Sequence, residues 1–151
     1  MKAHILAIGK LRGPESELCE DYLKRLQGAV TVKEMTASKS LAPERVQDAE
    51  AKLLLDAIPQ GSFTILLDER GKDLSSRELT DKLASWGLQA DGTATFLIGG
   101  ADGVTETVRQ RAQATLAFGR ATWPHRLVRL MLIEQLYRAR QIAAGHPYHR
   151  D

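Results

Sequence analysis

Apolar positions along the chain alternate between continuous short runs and a spacing of three to four residues, and they do so five times. Lys2–Ile8 reads as a strand ended by Gly9. Beyond Gly13-Pro14, the residues Leu18, Tyr22 and Leu26 recur one helical turn apart until Gly28. Val30-Thr31-Val32 predicts a second strand. A polar loop at 36–42 then leads to a helix opened by Pro43, with Val46, Ala49, Leu53 and Ala57 on one face and Pro59 and Gly61 closing it. Residues 63–67 are apolar without a break, which predicts a strand covered on both sides and ending at Asp68-Glu69-Arg70-Gly71. Ser75 and Glu78 have capping-box spacing ahead of Leu79, Leu83 and Trp86. Thr93–Ile98 runs into Gly99-Gly100-Ala101-Asp102-Gly103 and a helical pattern from near Val104, and 115–118 makes a fifth strand.

Strands separated by helical stretches predict an α/β fold: a mostly parallel sheet of five to six strands with helices on both faces. A ligand then belongs outside the carboxyl ends of the strands, where three of the loops fall. The last helix, predicted over 124–144, carries Leu127, Val128, Leu130, Met131, Leu132, Ile133, Leu136 and Tyr137 with almost no polar face in its first half. Such a helix needs burial all round, and a subunit interface supplies it, so a homodimer is expected.

Composition narrows the class. A length of 151 residues with 43% hydrophobic content suits one domain, residues 1–151, with a real core. No apolar run is long enough to span a membrane, and Met1-Lys2-Ala3-His4-Ile5-Leu6 lacks a signal-peptide layout, so a cytoplasmic protein is expected. One cysteine, Cys19, excludes an intrachain disulfide and reads as a small packed residue. The net charge of +2 matters less than its distribution. From Arg120 onward six arginines face two carboxylates (+4), whereas fifteen basic and seventeen acidic residues precede them (−2). Arginine suits phosphate and base recognition, because its planar fork bonds bidentately and stacks.

Candidate chemistry concentrates in three places. The glycine turn at 99–103 lets a ligand approach bare backbone, but it matches neither the dinucleotide fingerprint nor the phosphate-binding P-loop. The loop Gly119-Arg120-Ala121-Thr122-Trp123-Pro124 contains no acid or metal ligand, so its contribution is backbone N–H and C=O groups able to read an adenine edge. The segment His146-Pro147-Tyr148-His149-Arg150, beyond a helix-ending Gly145, can stack on a base, hold a phosphate and move a proton. With only Asp151 beside the two histidines, no metal is expected. No Ser/His/Asp set or paired carboxylates stand out, which argues against cleavage chemistry. Another nucleotide-binding α/β enzyme remains an alternative on these residues alone.

Three motifs together resemble one family. Ile98-Gly99-Gly100 with Gly103, then Pro124-His125-Arg126-Leu127-Val128-Arg129 with Glu134-Gln135-Leu136-Tyr137-Arg138-Ala139, and the terminal His146-Pro147-Tyr148-His149-Arg150 are similar to the ribosomal RNA large subunit methyltransferase H family, over the whole chain. The resemblance implies a SPOUT methyltransferase with a C-terminal trefoil knot, which ordinary connection rules would argue against. It implies S-adenosyl-L-methionine as cofactor, held by Leu67, Gly100, Gly119, Arg120, Ala121, Thr122, Trp123 and Pro124. Gly119-Arg120 and the bulky Trp123 depart from the family pattern, which favours backbone over side-chain contacts there. The implied activity is methylation of N3 of a pseudouridine in large-subunit ribosomal RNA, by a homodimer on the assembled ribosome. The expected catalytic residues are Tyr148 as stacking or hydrogen-bonding partner, His149 as base or shuttle and Arg150 for the developing anion or a phosphate. His125 is a less favoured base. A ribosome-associated factor without turnover is the other reading.

Overall fold

The structure, a computed structural model, describes residues 2–150. Five strands, β1 (Lys2–Ile8), β2 (Val30–Met35), β3 (Phe63–Asp73), β4 (Thr93–Ile98) and β5 (Ala114–Ala117), alternate with α1 (Pro14–Arg25), α2 (Pro43–Ala57), α3 (Ser76–Gln89), α4 (Glu106–Arg111) and α5 (His125–Ala143). The strands form one sheet in the order β2-β1-β4-β3-β5, with every pairing parallel. All loops that follow strands therefore emerge at one edge.

Alternation along the strands divides the core. Ala3, Ile5 and Ala7 of β1, with Phe96 and Ile98 of β4, face α1, α3 and α5, whose Cys19, Leu83, Trp86, Leu132 and Leu136 complete that layer. Leu6, Ile8, Leu66 and Leu97 face the other way onto Ala51, Leu54 and Val108 of α2 and α4. Local signals match the elements they open. Pro14 and Pro43 begin α1 and α2, and the capping box at α3 is complete, with Glu78 N–H donating to Ser75 Oγ at 3.2 Å and Ser75 N–H to Glu78 Oε2 at 2.7 Å.

The structure revises several expectations. Strand β3 continues to Asp73 after an irregularity between Leu67 and Lys72, so 68–71 leave the ladder and pairing with β5 resumes beyond them. Gly71 permits this, because a Cβ there would stand 2.7 Å from the Leu116 carbonyl carbon. Pro124 caps α5 from outside in place of occupying its first turn. α4 starts at Glu106, with Thr105 as its cap.

The first half of α5 is not buried all round within the chain. Leu127, Leu130 and Met131 are half-buried, while Arg129 is only 2% exposed. Arg129 Nη1 donates to Glu34 Oε1 at 2.5 Å and Nη2 to the Gly9 carbonyl at 3.0 Å, tying α5 to the ends of β1 and β2. The C-terminal arginines are therefore not one solvated, phosphate-reading face. Arg138 pairs with Glu134, and Arg140 donates to the Leu26 carbonyl at 2.6 Å. Among the described residues, no helix is long and apolar enough to cross a membrane.

Candidate active site

The carboxyl ends of β3, β4 and β5, together with the start of α5, enclose a cleft of about 830 Å³. That is ample for a nucleoside-sized ligand. Its apolar wall comes from Leu67 of β3, Ile98 of β4, Leu116 of β5 and Val128 of α5. Backbone lines much of the remainder, at 99–103 and 117–119.

The glycine turn is built for closeness. Gly103 has φ +77° and donates its N–H to the Gly100 carbonyl at 3.1 Å. A Cβ on Gly99 would lie 2.6 Å from Val104 Cγ1, and one on Gly100 2.7 Å from Glu50 Oε2. Glu50, on α2, backs the turn, and its Oε2 is buried without a hydrogen-bond partner. Burial, and then the charge of Asp102, raise its pKa above the ordinary carboxylate value.

The opposite wall is ionic. Asp68, whose side chain is 8% exposed, pairs with Arg109 of α4 and lies 3.5 Å from Arg70 Nε. Thr122 Oγ1 donates to Glu69 Oε2, and Trp123 Nε1–H to the Phe118 carbonyl at 2.9 Å, so the loop ahead of α5 is fastened to β3 and to its own start. Trp123 remains 44% exposed at the rim.

Of the residues expected to hold a cofactor, Leu67, Gly100, Gly119, Ala121, Thr122, Trp123 and Pro124 all line this cleft, and Arg120 does not. His125 lines it too. Tyr148, His149 and Arg150 are elsewhere within the chain, beyond the end of α5, where Tyr148 and His149 fold back against Glu134, Tyr137 and Arg138 in the middle of that helix. Tyr148 OH donates to Glu134 Oε1 at 3.1 Å and lies 3.3 Å from Tyr22 OH. Its ring meets Tyr137 edge-on at 4.9 Å, and the Arg138 guanidinium covers it at 4.9 Å. Burial and these hydrogen bonds push its phenol pKa well up, so it is a neutral donor. Arg138 Nη1 is 3.3 Å from His149 Nδ1. A guanidinium only donates, so Nδ1 accepts and a neutral ring carries its proton on Nε2. Arg150 is exposed. Glu134, nine residues into α5, is already about 14 Å along the helix from the cleft end, given a rise of 1.5 Å per residue.

Sequence reasoning assigned no role to Asp68, Glu69, Arg109 or Glu50. Asp68-Glu69-Arg70 at the end of a wholly apolar strand was the available signal. Arg109 and Glu50 reach the site from α4 and α2, which spacing along the chain does not reveal.

The family described as "Predicted SPOUT methyltransferase" matches residues 1–149. The chain belongs to the SPOUT methyltransferase family. It is 50% identical over 151 residues to the ribosomal RNA large subunit methyltransferase H of Rhodospirillum centenum, covering 99% of each chain. It is 46% identical over 160 residues to that of Paracoccus denitrificans, covering all of both. A probable methylase family protein from Haemophilus influenzae Rd KW20 shares the fold at a TM-score of 0.57 and 11% identity, over 99% of this chain and 70% of that one. In this SPOUT chain, the cleft lies at the start of α5, whereas the C-terminal tail packs against its middle. Among the described residues, no group of three or more His, Cys, Asp or Glu side chains is arranged to hold a metal.

Proposed function

We propose that this chain is a cytoplasmic S-adenosyl-L-methionine-dependent methyltransferase acting on N3 of a pseudouridine in large-subunit ribosomal RNA, in the assembled ribosome. The observation that carries the reading is the cleft at the strand ends, in a chain whose full-length relatives are named for ribosomal RNA methylation. Its walls suit the cofactor. Leu67, Ile98 and Leu116 offer an apolar slot for a purine, bare peptide groups at 99–100 and 118–119 can read its polar edge, and Glu69 and Arg109 supply both signs for a zwitterion. We take residues 119–124 and α5 to pass through the loop made by 68–73 as a trefoil knot. The close approach of Gly71 to Leu116 supports that threading.

The bound cofactor would supply an electrophilic methyl group on a sulfonium. The chain's own work is then positioning, an effect worth about 7–11 kcal/mol when reacting groups are held in near-attack geometry. Leu116, Val128 and Trp123 exclude water from one side, and the fastened 118–123 loop keeps the slot in shape. The N3–H of the base must lose its proton, which calls for a base and for a cation that stabilises the developing anion. Tyr148 serves as a neutral donor or stacking partner. His149 takes the proton at Nδ1 after exchanging Arg138 for substrate, and Arg150 faces the anion or an adjacent phosphate. His125, at the cleft rim, is the alternative acceptor.

The tail reaches a cleft only in a homodimer, where one subunit's 146–150 segment meets its partner's strand ends. The half-buried Leu127, Leu130 and Met131 beside the cleft-lining Val128 support such an interface. Incubation with labelled S-adenosylmethionine and ribosomes lacking the modification should label N3 of one pseudouridine. No transfer, or affinity for ATP or NAD in place of S-adenosylmethionine, would refute the proposal. Sedimentation should give a dimer, and a fully active monomer would remove the shared site.

A further inference from the structure

We infer that the ribosomal RNA backbone is gripped by the loops after β1 and β2, through Lys10, Arg12 and Lys39, and not by the arginines of α5. The inference rests on the methyltransferase reading above and names the surface that reading requires.

The two edges of the sheet differ in charge. Loops leading into strands, 26–29, 58–62, 90–92 and 112–113, contain one charged residue, Asp91. On the other edge, the cleft loops mix Asp68, Glu69 and Asp102 with Arg70 and Arg120, whereas the loops after β1 and β2, 9–13 and 36–42, contain three charges, all basic and all exposed: Lys10, Arg12 and Lys39. Because the sheet is parallel throughout, these loops rise from the same edge as the cleft, and β1 is the direct neighbour of β4, whose glycine turn forms the cleft wall.

The loops are anchored. Gly9 N–H donates to the Met35 carbonyl at 2.7 Å, which joins the two loops at their base. Leu11 packs against the core and its N–H donates to Glu34 Oε1 at 3.0 Å, so Lys10 and Arg12 flank a fixed residue. Two carboxylates at the loop 9–13 are engaged: Glu34, which also accepts from Leu11, pairs with Arg129, and Glu15 with Arg126 at 3.6 Å. Glu17 and Glu44 lie in the first turns of α1 and α2, where the helix dipole offsets their charge. Arg129, Arg138 and Arg140, by contrast, already bond within the chain.

Phosphate contacts are read by salt. Each lysine or arginine on a phosphate contributes about 0.7–0.9 to the slope of log K against log salt. For Lys10→Ala/Arg12→Ala/Lys39→Ala, ribosome binding across a salt series should show a slope shallower by about 2–3 than the parent, while calorimetric affinity for S-adenosylmethionine is unchanged. A control with the same loss of charge on other faces, Lys24→Ala/Lys52→Ala/Lys82→Ala, should keep the parent slope. An unchanged slope in the first variant, or an equal change in both, overturns the inference. Label transfer by the parent is measured alongside. Transfer together with an unchanged slope sinks only this surface, whereas no transfer sinks the methyltransferase reading whatever the slope.

Discussion

Replacing Arg129 by methionine tests what holds the start of α5 over the cleft. The side chain is 2% exposed, and it makes a 2.5 Å bond to Glu34 Oε1 and a 3.0 Å bond to the Gly9 carbonyl. Methionine keeps the aliphatic volume, so the change isolates the polar contacts. Hydrogen bonds to charged groups are worth about 1.5–3 kcal/mol each. Two effects reduce the total. Glu34 is 32% exposed and recovers water, and Arg129 Nε already lacks a partner, so a standing desolvation cost disappears with it. The net expectation is a loss of about 2–3 kcal/mol, or roughly 5–10 °C in melting temperature for a chain of this size. Thermal unfolding at fixed protein concentration measures it, and a cycle with Glu34→Gln isolates the pair, for which a coupling of about 1 kcal/mol or more is expected. A methionine variant melting within a degree of the parent would refute the idea that this buried charge fastens α5.

Gly71→Ala should cost several degrees of melting temperature although its φ is ordinary, because the new Cβ would lie 2.7–2.8 Å from Leu116 backbone atoms; near-parent melting would show that β5 can back away. Glu50→Gln should stabilise the protein at pH 7. A carboxyl whose folded pKa is raised contributes most below its unfolded pKa and loses that contribution as pH climbs through the folded value, so the gain should vanish in melting curves taken near pH 4. Gly100→Val, which drives a side chain against Glu50 on the cleft wall, should weaken S-adenosylmethionine binding at least tenfold by calorimetry. Tyr148→Phe and Arg150→Ala should instead reduce turnover with cofactor affinity nearly intact, and equal loss of both quantities would contradict the division between cleft and tail.

The strands, their parallel order of appearance and most helix starts were legible from the chain, because burial period, proline at a first turn and the Ser75–Glu78 box are local signals. The glycine turn and the 119–124 loop were legible as turns following strands for the same reason, and residues of both line the cleft. What only the tertiary structure decided is where charge goes. Arg129 reads in sequence as one of a basic cluster, yet it is the largest of the buried side chains of α5, because the ends of β1 and β2 present Glu34 and the Gly9 carbonyl to that spot. Asp68 meets Arg109, and Glu50 meets Gly100, across separations of about forty to fifty residues that no spacing rule covers. Periodicity reports which side of its own element a residue occupies. Which charge it meets there depends on strand order, and strand order is settled by packing among segments far apart in the chain.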